Sequence, residues 1–315
     1  MKLQTKIPLT PEDHQIDYDS KVLLLGSCFT ENIGGKLEYY KFRNLQNPFG
    51  IIFHPIPVER LILRALSLAE FDESDIFEQD GYWHCLDVHS LITHKDKTTY
   101  LGLLNENLAE LSDYLRSATH IIITWGTAWG YRYLESGEIV ANCHKIPQKE
   151  FGKEITSVGR ISEGMKRISE AIKASNPTAH IIYTVSPVRH LKDGFTGNTR
   201  SKAHLIAGIH EVTACCKNSS YFPSYEIMMD ELRDYRFYSE DMLHPNTTAV
   251  EIIWNRFSEV WIDPSTEILQ MEIASIRNGL GHRPFNPDSD SHKEFQLQLQ
   301  QKINRIKQEL PHIEF

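Results

Sequence analysis

Two short stretches of this 315-residue chain carry residue types that do chemistry in combination: Gly26-Ser27-Cys28-Phe29-Thr30 and, more than two hundred residues on, Asp241-Met-Leu-His244. A serine hydroxyl attacks a carbonyl only when a base removes its proton, and an imidazole is a good base only when a third group fixes its tautomer. Asp241 and His244 are close enough to share one loop, with the carboxylate placed to accept the ring N–H. Taken alone, Ser27 reads as a helix cap, and Asp241 with His244 reads as a surface turn pair. Together, Ser27, Asp241 and His244 are the residue types that a catalytic triad for acyl transfer would need, and they are expected to meet. Cys28 is expected to fill core space, because neighbouring side chains at a strand end point different ways.

Further polar residues cluster where strands are expected to stop. Thr127 follows the run Thr119–Trp125, and Arg189 and His190 follow His180–Val185. Arg189 suits either clamping an anionic part of a substrate or pairing with a carboxylate. His54, His144 and His190 either line the site or serve as structural hydrogen-bond partners. The histidines lack the local spacing of a metal site, so neither metal nor other cofactor is expected. Trp125, Trp129, Tyr131 and Tyr133 suit the wall of a cleft as well as they suit a core.

These residues need a scaffold that brings strand ends together. Apolar runs near residues 22, 120 and 181 alternate with helical patterns, which predicts a three-layer α/β/α sandwich around a mostly parallel sheet. In such sheets ligands bind outside the C-terminal ends of the strands. Helices are expected over 101–117, 158–175 and about 202–218. Another should follow His244-Pro245, with Thr248 and Glu251 forming a capping box. Residues 71–100 read as an inserted cap or hairpin, Ser136-Gly137 as the turn of a second hairpin, and 1–20 as a polar arm. The chain divides into a domain over 1–261 and a helical extension over 262–315, whose Gln-rich run Glu294–Glu309 offers a surface for self-association.

Bulk properties narrow the classes. There are 33 Lys+Arg against 42 Asp+Glu, a formal charge of -9, and no basic run interleaved with aromatics, so no nucleic-acid partner is expected. No apolar run is long enough to span a membrane, and the first ten residues lack a signal-peptide core. The 5 cysteines, without C-x-x-C spacing, imply a reducing compartment, most simply the cytoplasm.

Five ordered blocks give the chain a family likeness. Gly26-Ser-Cys-Phe-Thr30, Asn47-Pro-Phe-Gly50, Asn142-Cys-His-Lys145, Ser186-Pro-Val-Arg-His190 and Asp241-x-x-His244-Pro245 resemble the GSCFA family, a branch of the SGNH (GDSL-type) hydrolase superfamily. The resemblance spans about residues 21–261. It implies an SGNH-like fold and a serine-dependent esterase that hydrolyses a small acyl or acetyl ester of a polar, carbohydrate-like alcohol. Ser27 would be the nucleophile, and the Ser27 and Gly50 amides would receive the oxyanion. The superfamily's G-x-N-D block reads Gly126-Thr-Ala128-Trp129 here, so its asparagine donor is missing. Asn142 is the candidate replacement, a turn residue being the other account of it, and Thr127 a weaker substitute. An acyltransferase with the same triad, or a catalytically weak binding protein, stand as alternatives.

Overall fold

A computed structural model describes residues 4–315. Its centre is a five-stranded sheet with every strand parallel. In chain order the strands of the protein are β1 (Lys21–Gly26), β2 (Arg43–Gln46), β3 (Ile76–Gln79), β4 (Tyr82–Cys85), β5 (His120–Trp125), β6 (Trp129–Tyr133), β7 (Ile139–Val140), β8 (Phe151–Ile155), β9 (His180–Val185) and β10 (Ser219–Phe222). The central sheet runs β10-β9-β5-β1-β2. The longer helices are α1 (Cys28–Tyr39), α2 (Pro55–Ser67), α3 (Lys97–Ser117), α4 (Val158–Ser175) and α5 (Gly194–Thr213). A short turn α6 (Ser224–Glu226) precedes α7 (Thr247–Trp261), α8 (Glu267–Leu280) and α9 (Asp290–Glu309).

The period-two alternation of the strands builds the layers. Leu23, Leu25, Ile121, Ile123, Ile181 and Tyr183 pack with the buried stripes of α2 to α5. Their neighbours Val22, Leu24, Ile122 and Ile182 pack the other way, against Phe29, Ile33 and Leu37 of α1 and against α7. Both faces of the sheet are therefore covered, which is why its strands read as continuous apolar runs. The extension joins the second layer: Ile273, Ile276, Ile303, Ile306 and Ile313 are buried in the same cluster as Val22 and Leu24. The N-terminal segment is more than a polar arm, since Ile16 is buried and bridges Ile262.

Several elements depart from expectation. β2 escaped notice because Arg-Asn-Leu-Gln carries no apolar period and all four residues are half-buried. α5 begins at Gly194, eight residues before its expected start, and ends at Thr213. The cap of α7 is Asn246, whose side chain accepts from the Ala249 N–H, so Thr248 and Glu251 form no capping box there. Residues 71–100 contain the β3–β4 hairpin, and β6 pairs with β7 and also with β8 in a small antiparallel sheet beside the main one. Among the described residues no helix is long and apolar enough to cross a membrane.

The chain leaves β1 toward β2 on one side and returns to β5 on the other. Adjacent strands whose connections diverge make a crevice at their C-terminal ends, the place where open parallel sheets receive ligands. Here that crevice lies between Gly26-Ser27 and Trp125-Gly126.

Candidate functional site

The first wall of the crevice is a glycine-dependent turn. Gly26 has φ +124°, and a Cβ there would stand 2.1 Å from the Thr124 carbonyl oxygen. No residue with a side chain fits, so β1 can turn this tightly only at glycine. The Asn47 side chain at the end of β2 fastens the turn by accepting from the Gly26 N–H at 2.9 Å. Ser27 then occupies the N-cap position of α1 with extended backbone, but its side chain makes no capping bond. Its hydroxyl is fully buried and has no hydrogen-bond partner. Its N–H donates to Thr124 O at 3.0 Å.

The opposite wall comes from the loop before α7. Asp241 Oδ1 accepts from the Leu243 and His244 N–H groups at 2.9 and 3.0 Å, and Oδ2 accepts from His244 Nδ1 at 2.6 Å. The backbone N–H bonds from His244 and Leu243, then the ring bond, hold the Asp241 carboxyl down at about 2. With Nδ1 as donor to a carboxylate, Nε2 is left as the proton acceptor. The loop is pinned from both sides: Arg189 N–H donates to Leu243 O at 3.2 Å, and Ser239 N–H to His244 O at 2.7 Å. Asp241 and His244 thus form a hydrogen-bonded pair that fixes the orientation of the ring.

Between these walls lies an open cavity of ≈ 460 Å³ whose lining includes Cys28, Thr127, Asn142, Arg189, His190 and His244. Of the residues expected to meet, His54, Thr127, Asn142, Arg189, His190 and His244 share it; Ser27, Gly50, His144 and Asp241 do not line it, Asp241 standing behind His244. The Gly50 amide is committed to Asn47 O at 2.7 Å. With the Ser27 amide committed as well, the two backbone oxyanion donors expected from the resemblance are both engaged elsewhere. His144 is buried under the β3–β4 hairpin, where Nε2 donates to Val88 O at 3.1 Å and its ring meets Phe77 edge-on; burial presses its pKa to about 4.

The remaining residues each have a local reason for their position. His54 caps α2: Nδ1 accepts from Ile56 N–H, so Nε2 carries the proton, within bonding distance of Thr156 Oγ1 at 3.0 Å. Burial lowers its pKa to about 4. Thr127 Oγ1 accepts from the Trp129 N–H and bonds to Ser201 Oγ, which leaves it a turn residue at the rim. Ala128 belongs to the core, its N–H donating to Ser201 Oγ at 2.7 Å. Its side chain is off the cavity, so the position has lost the address as well as the amide of a donor. Asn142 serves its turn through one end only. Oδ1 accepts from the His144 N–H at 2.9 Å, and among the described residues Nδ2 makes no hydrogen bond.

Arg189 lies over Tyr238 at 4.2 Å from the ring centroid, a cation–π contact that holds its guanidinium without a carboxylate. His190 stands edge-on to Phe53, and its Nε2 is buried without a partner. Burial, reinforced by the Lys202, His244 and Lys192 charges, holds its pKa to about 3. At the rim Lys153 pairs with Asp193 beside Trp129.

One residue at the site went unread in the sequence. Lys202 is fully buried, and its Nζ donates to Gly126 O and Ser186 O, both at 2.7 Å, joining the ends of β5 and β9. Burial pulls its pKa down to about 7, opposed by Cys28. The available signal was helical phase: Lys202 falls on the buried stripe with Ser201, Leu205, Ile209 and Val212. Among the described residues no group of three or more His, Cys, Asp or Glu side chains is arranged to hold a metal.

The fold is a three-layer α/β/α sandwich around a parallel central sheet. The chain belongs to the GSCFA family, matching it over residues 21–257, and its tail matches the C-terminal domain of GSCFA domain proteins over residues 273–315. No curated protein matches the chain. Among solved structures it is similar to an acetyl xylan esterase from the rumen bacterium Butyrivibrio proteoclasticus, at 12% identity and a TM-score of 0.39. That match covers 84% of this chain and 65% of the other, a little less than two thirds of its length.

Proposed function

We propose that the cavity is the active site of an SGNH-type ester hydrolase in which His244, oriented by Asp241, is the general base. The observation that carries this reading is the 2.6 Å bond between His244 Nδ1 and Asp241 Oδ2 at the mouth of the switch-point cavity. An imidazole held in one tautomer by a carboxylate is what nucleophile activation requires. The nucleophile comes from the Ser27-Cys28 step at the head of α1. In the reaction His244 takes the nucleophile's proton as the ester carbonyl is attacked, returns it to the leaving alcohol, and then activates water to release the acid.

The walls favour a small acyl group on a polar alcohol. Arg189, Lys192 and Lys153 line the opening together with Trp129 and Tyr131, a mixture of hydrogen-bond donors and flat apolar faces suited to a hydroxyl-rich ligand. Of the oxyanion donors, Asn142 Nδ2 is uncommitted. No cofactor enters this chemistry. The cytoplasm as its place of action, the division into a catalytic domain and a helical extension, and self-association through α9 belong to the same reading. The test is hydrolysis of p-nitrophenyl acetate by the purified protein and by its H244A variant: loss of turnover in the variant is expected, and equal rates would contradict the assignment.

A further inference from the structure

We infer that the attacking atom of this site is the Cys28 thiol, with Ser27 buried behind it, so that the acyl-enzyme is a thioester. The inference rests on the esterase reading of the cavity and deepens it by naming the atom that bonds to the substrate.

Three observations bear on it. The first is direction. Ser27 and Cys28 are consecutive at a sharp strand-to-helix turn, and only one of them reaches the cavity. Ser27 has no exposed surface and no partner for Oγ, whereas Cys28 is half-buried and stands on the cavity wall with His244, Leu243 and Asn142. A fully buried hydroxyl cannot meet an ester carbonyl without leaving its place.

The second concerns the amides. Ser27 N–H is bonded to Thr124 O. Cys28 and Phe29 are the first two residues of α1, where N–H groups have no intrahelical acceptor; among the described residues neither bonds a backbone carbonyl, and both lie within reach of the Cys28 sulfur, whose thiolate they favour. When a thiol attacks from position 28, the oxyanion forms on the carbon bonded to Sγ, two bonds from the sulfur, within the neighbourhood of these donors and of the positive end of the helix. The same arrangement built on Ser27 would have to use an amide already engaged. Asn142 Nδ2, uncommitted on the same cavity, is a further donor for the adduct.

The third is charge. The buried Lys202 ammonium, bonded to Gly126 O and Ser186 O, is close enough to favour the Cys28 thiolate, while burial foremost and Glu31 next push that thiol up. Burial prevails, so the resting atom is a thiol rather than a preformed thiolate. It therefore depends on a base, and the oriented His244 on the same cavity supplies one.

The step balances without an oxidant or reductant. As the Sγ–C bond forms, the thiol proton passes to His244 Nε2, and collapse of the tetrahedral adduct breaks the ester C–O bond with that proton going to the leaving alcohol. Water then adds to the thioester and gives a proton to His244. The S–C bond breaks, the acid departs, and the thiol regains its hydrogen.

The experiment is an acid quench of the full chain during turnover of p-nitrophenyl acetate, followed by proteolysis and mapping of the acetyl group. It should lie on Cys28 and be removed by neutral hydroxylamine, as thioesters are. The exposed Cys215 gauges non-specific acetylation. The S27A protein should still carry acetyl on Cys28. C28A should lose the adduct and on the order of 10³-fold or more in kcat/KM. C28S, which keeps the size of the side chain, should melt near wild type and carry an oxyester resistant to hydroxylamine. Acetyl on Ser27, or C28A turning over at the wild-type rate, would overturn the thiol and leave the esterase reading standing. No adduct on either residue, with wild type no faster than H244A, would remove both.

Discussion

Asn142 is the residue whose two ends divide structure from chemistry. Its Oδ1 closes a turn on the His144 N–H, while its Nδ2 has no partner among the described residues and the residue lines the cavity. An amide fixed through its oxygen presents its nitrogen without further cost in side-chain freedom. We expect N142A to lower kcat by roughly 10²–10³-fold with little change in KM, because such a donor acts on charge developed in the transition state. An aspartate in its place would keep the turn acceptor and lose the donor, so N142D should retain the melting temperature and lose activity. Full kcat per folded molecule in N142D would return this residue to a purely structural part. The sequence exposed Asp241 and His244 because their spacing is local and their bond forms inside one loop. It misdirected the eye at Ser27 and Cys28, because which of two neighbours faces a cavity is decided by the backbone turn at Gly26 and not by residue type.

Among the elements, the C-terminal ends of β1, β5 and β9 have to stay in register for the cavity walls to meet. Lys202 of α5 holds two of them through the carbonyls of Gly126 and Ser186. In K202M the side-chain volume stays and both buried carbonyls lose their donor, which costs about 1–3 kcal/mol for an unsatisfied buried group. Relief from burying a charge offsets part of this. The expected result is a lower melting temperature with kcat/KM reduced more than the folded fraction explains; a melting curve and rate equal to wild type would sink the tie between β5 and β9. This device is long-range, linking residues 126, 186 and 202; helical phase could mark Lys202 as buried, but nothing local named its partners. The strands themselves were legible where burial on both faces wrote a run of branched residues, as in His120–Trp125 and His180–Val185. At one edge β2, with only four half-buried residues, was illegible. α4 was readable end to end, since Asn176-Pro177 stops it. The start of α5 was hidden because its first turns contain Gly194 and Gly197, which tertiary packing keeps helical against their propensity.

At the scale of the molecule, buried histidines set the acid limit. Burial lowers the pKa of His54, His144 and His180 to about 4 and of His190 to about 3, from an ordinary 6.5. The unfolded chain takes up these protons near pH 6.5 and the folded chain resists until near 4. Below 6.5 the unfolded state therefore binds more protons, and stability falls as pH falls. Each such histidine contributes at most about 1.4 kcal/mol per pH unit across that window. Lys202, held to about 7 against an ordinary 10.5, acts in the same sense on the alkaline side, where stability rises with pH. Thermal melts from pH 4 to 8 should show a steady loss below 6.5, and a melting temperature constant down to pH 4 would contradict these burials. The layered fold as a whole was legible from alternation of runs and helices. The joining of α8 and α9 to the core beneath β1 was not, because the sparse isoleucines at 273, 276, 303, 306 and 313 acquire their meaning only from the groove they fill.

The most direct measurement is kcat/KM for p-nitrophenyl acetate in wild type and H244A, with the folded fraction of each fixed by melting. His244 has about half its side-chain surface exposed, so its removal should leave the melting curve nearly unchanged. If it is the base of this site, activity falls by about 10²–10⁴-fold. A folded H244A protein that hydrolyses the ester at the wild-type rate would contradict the central claim.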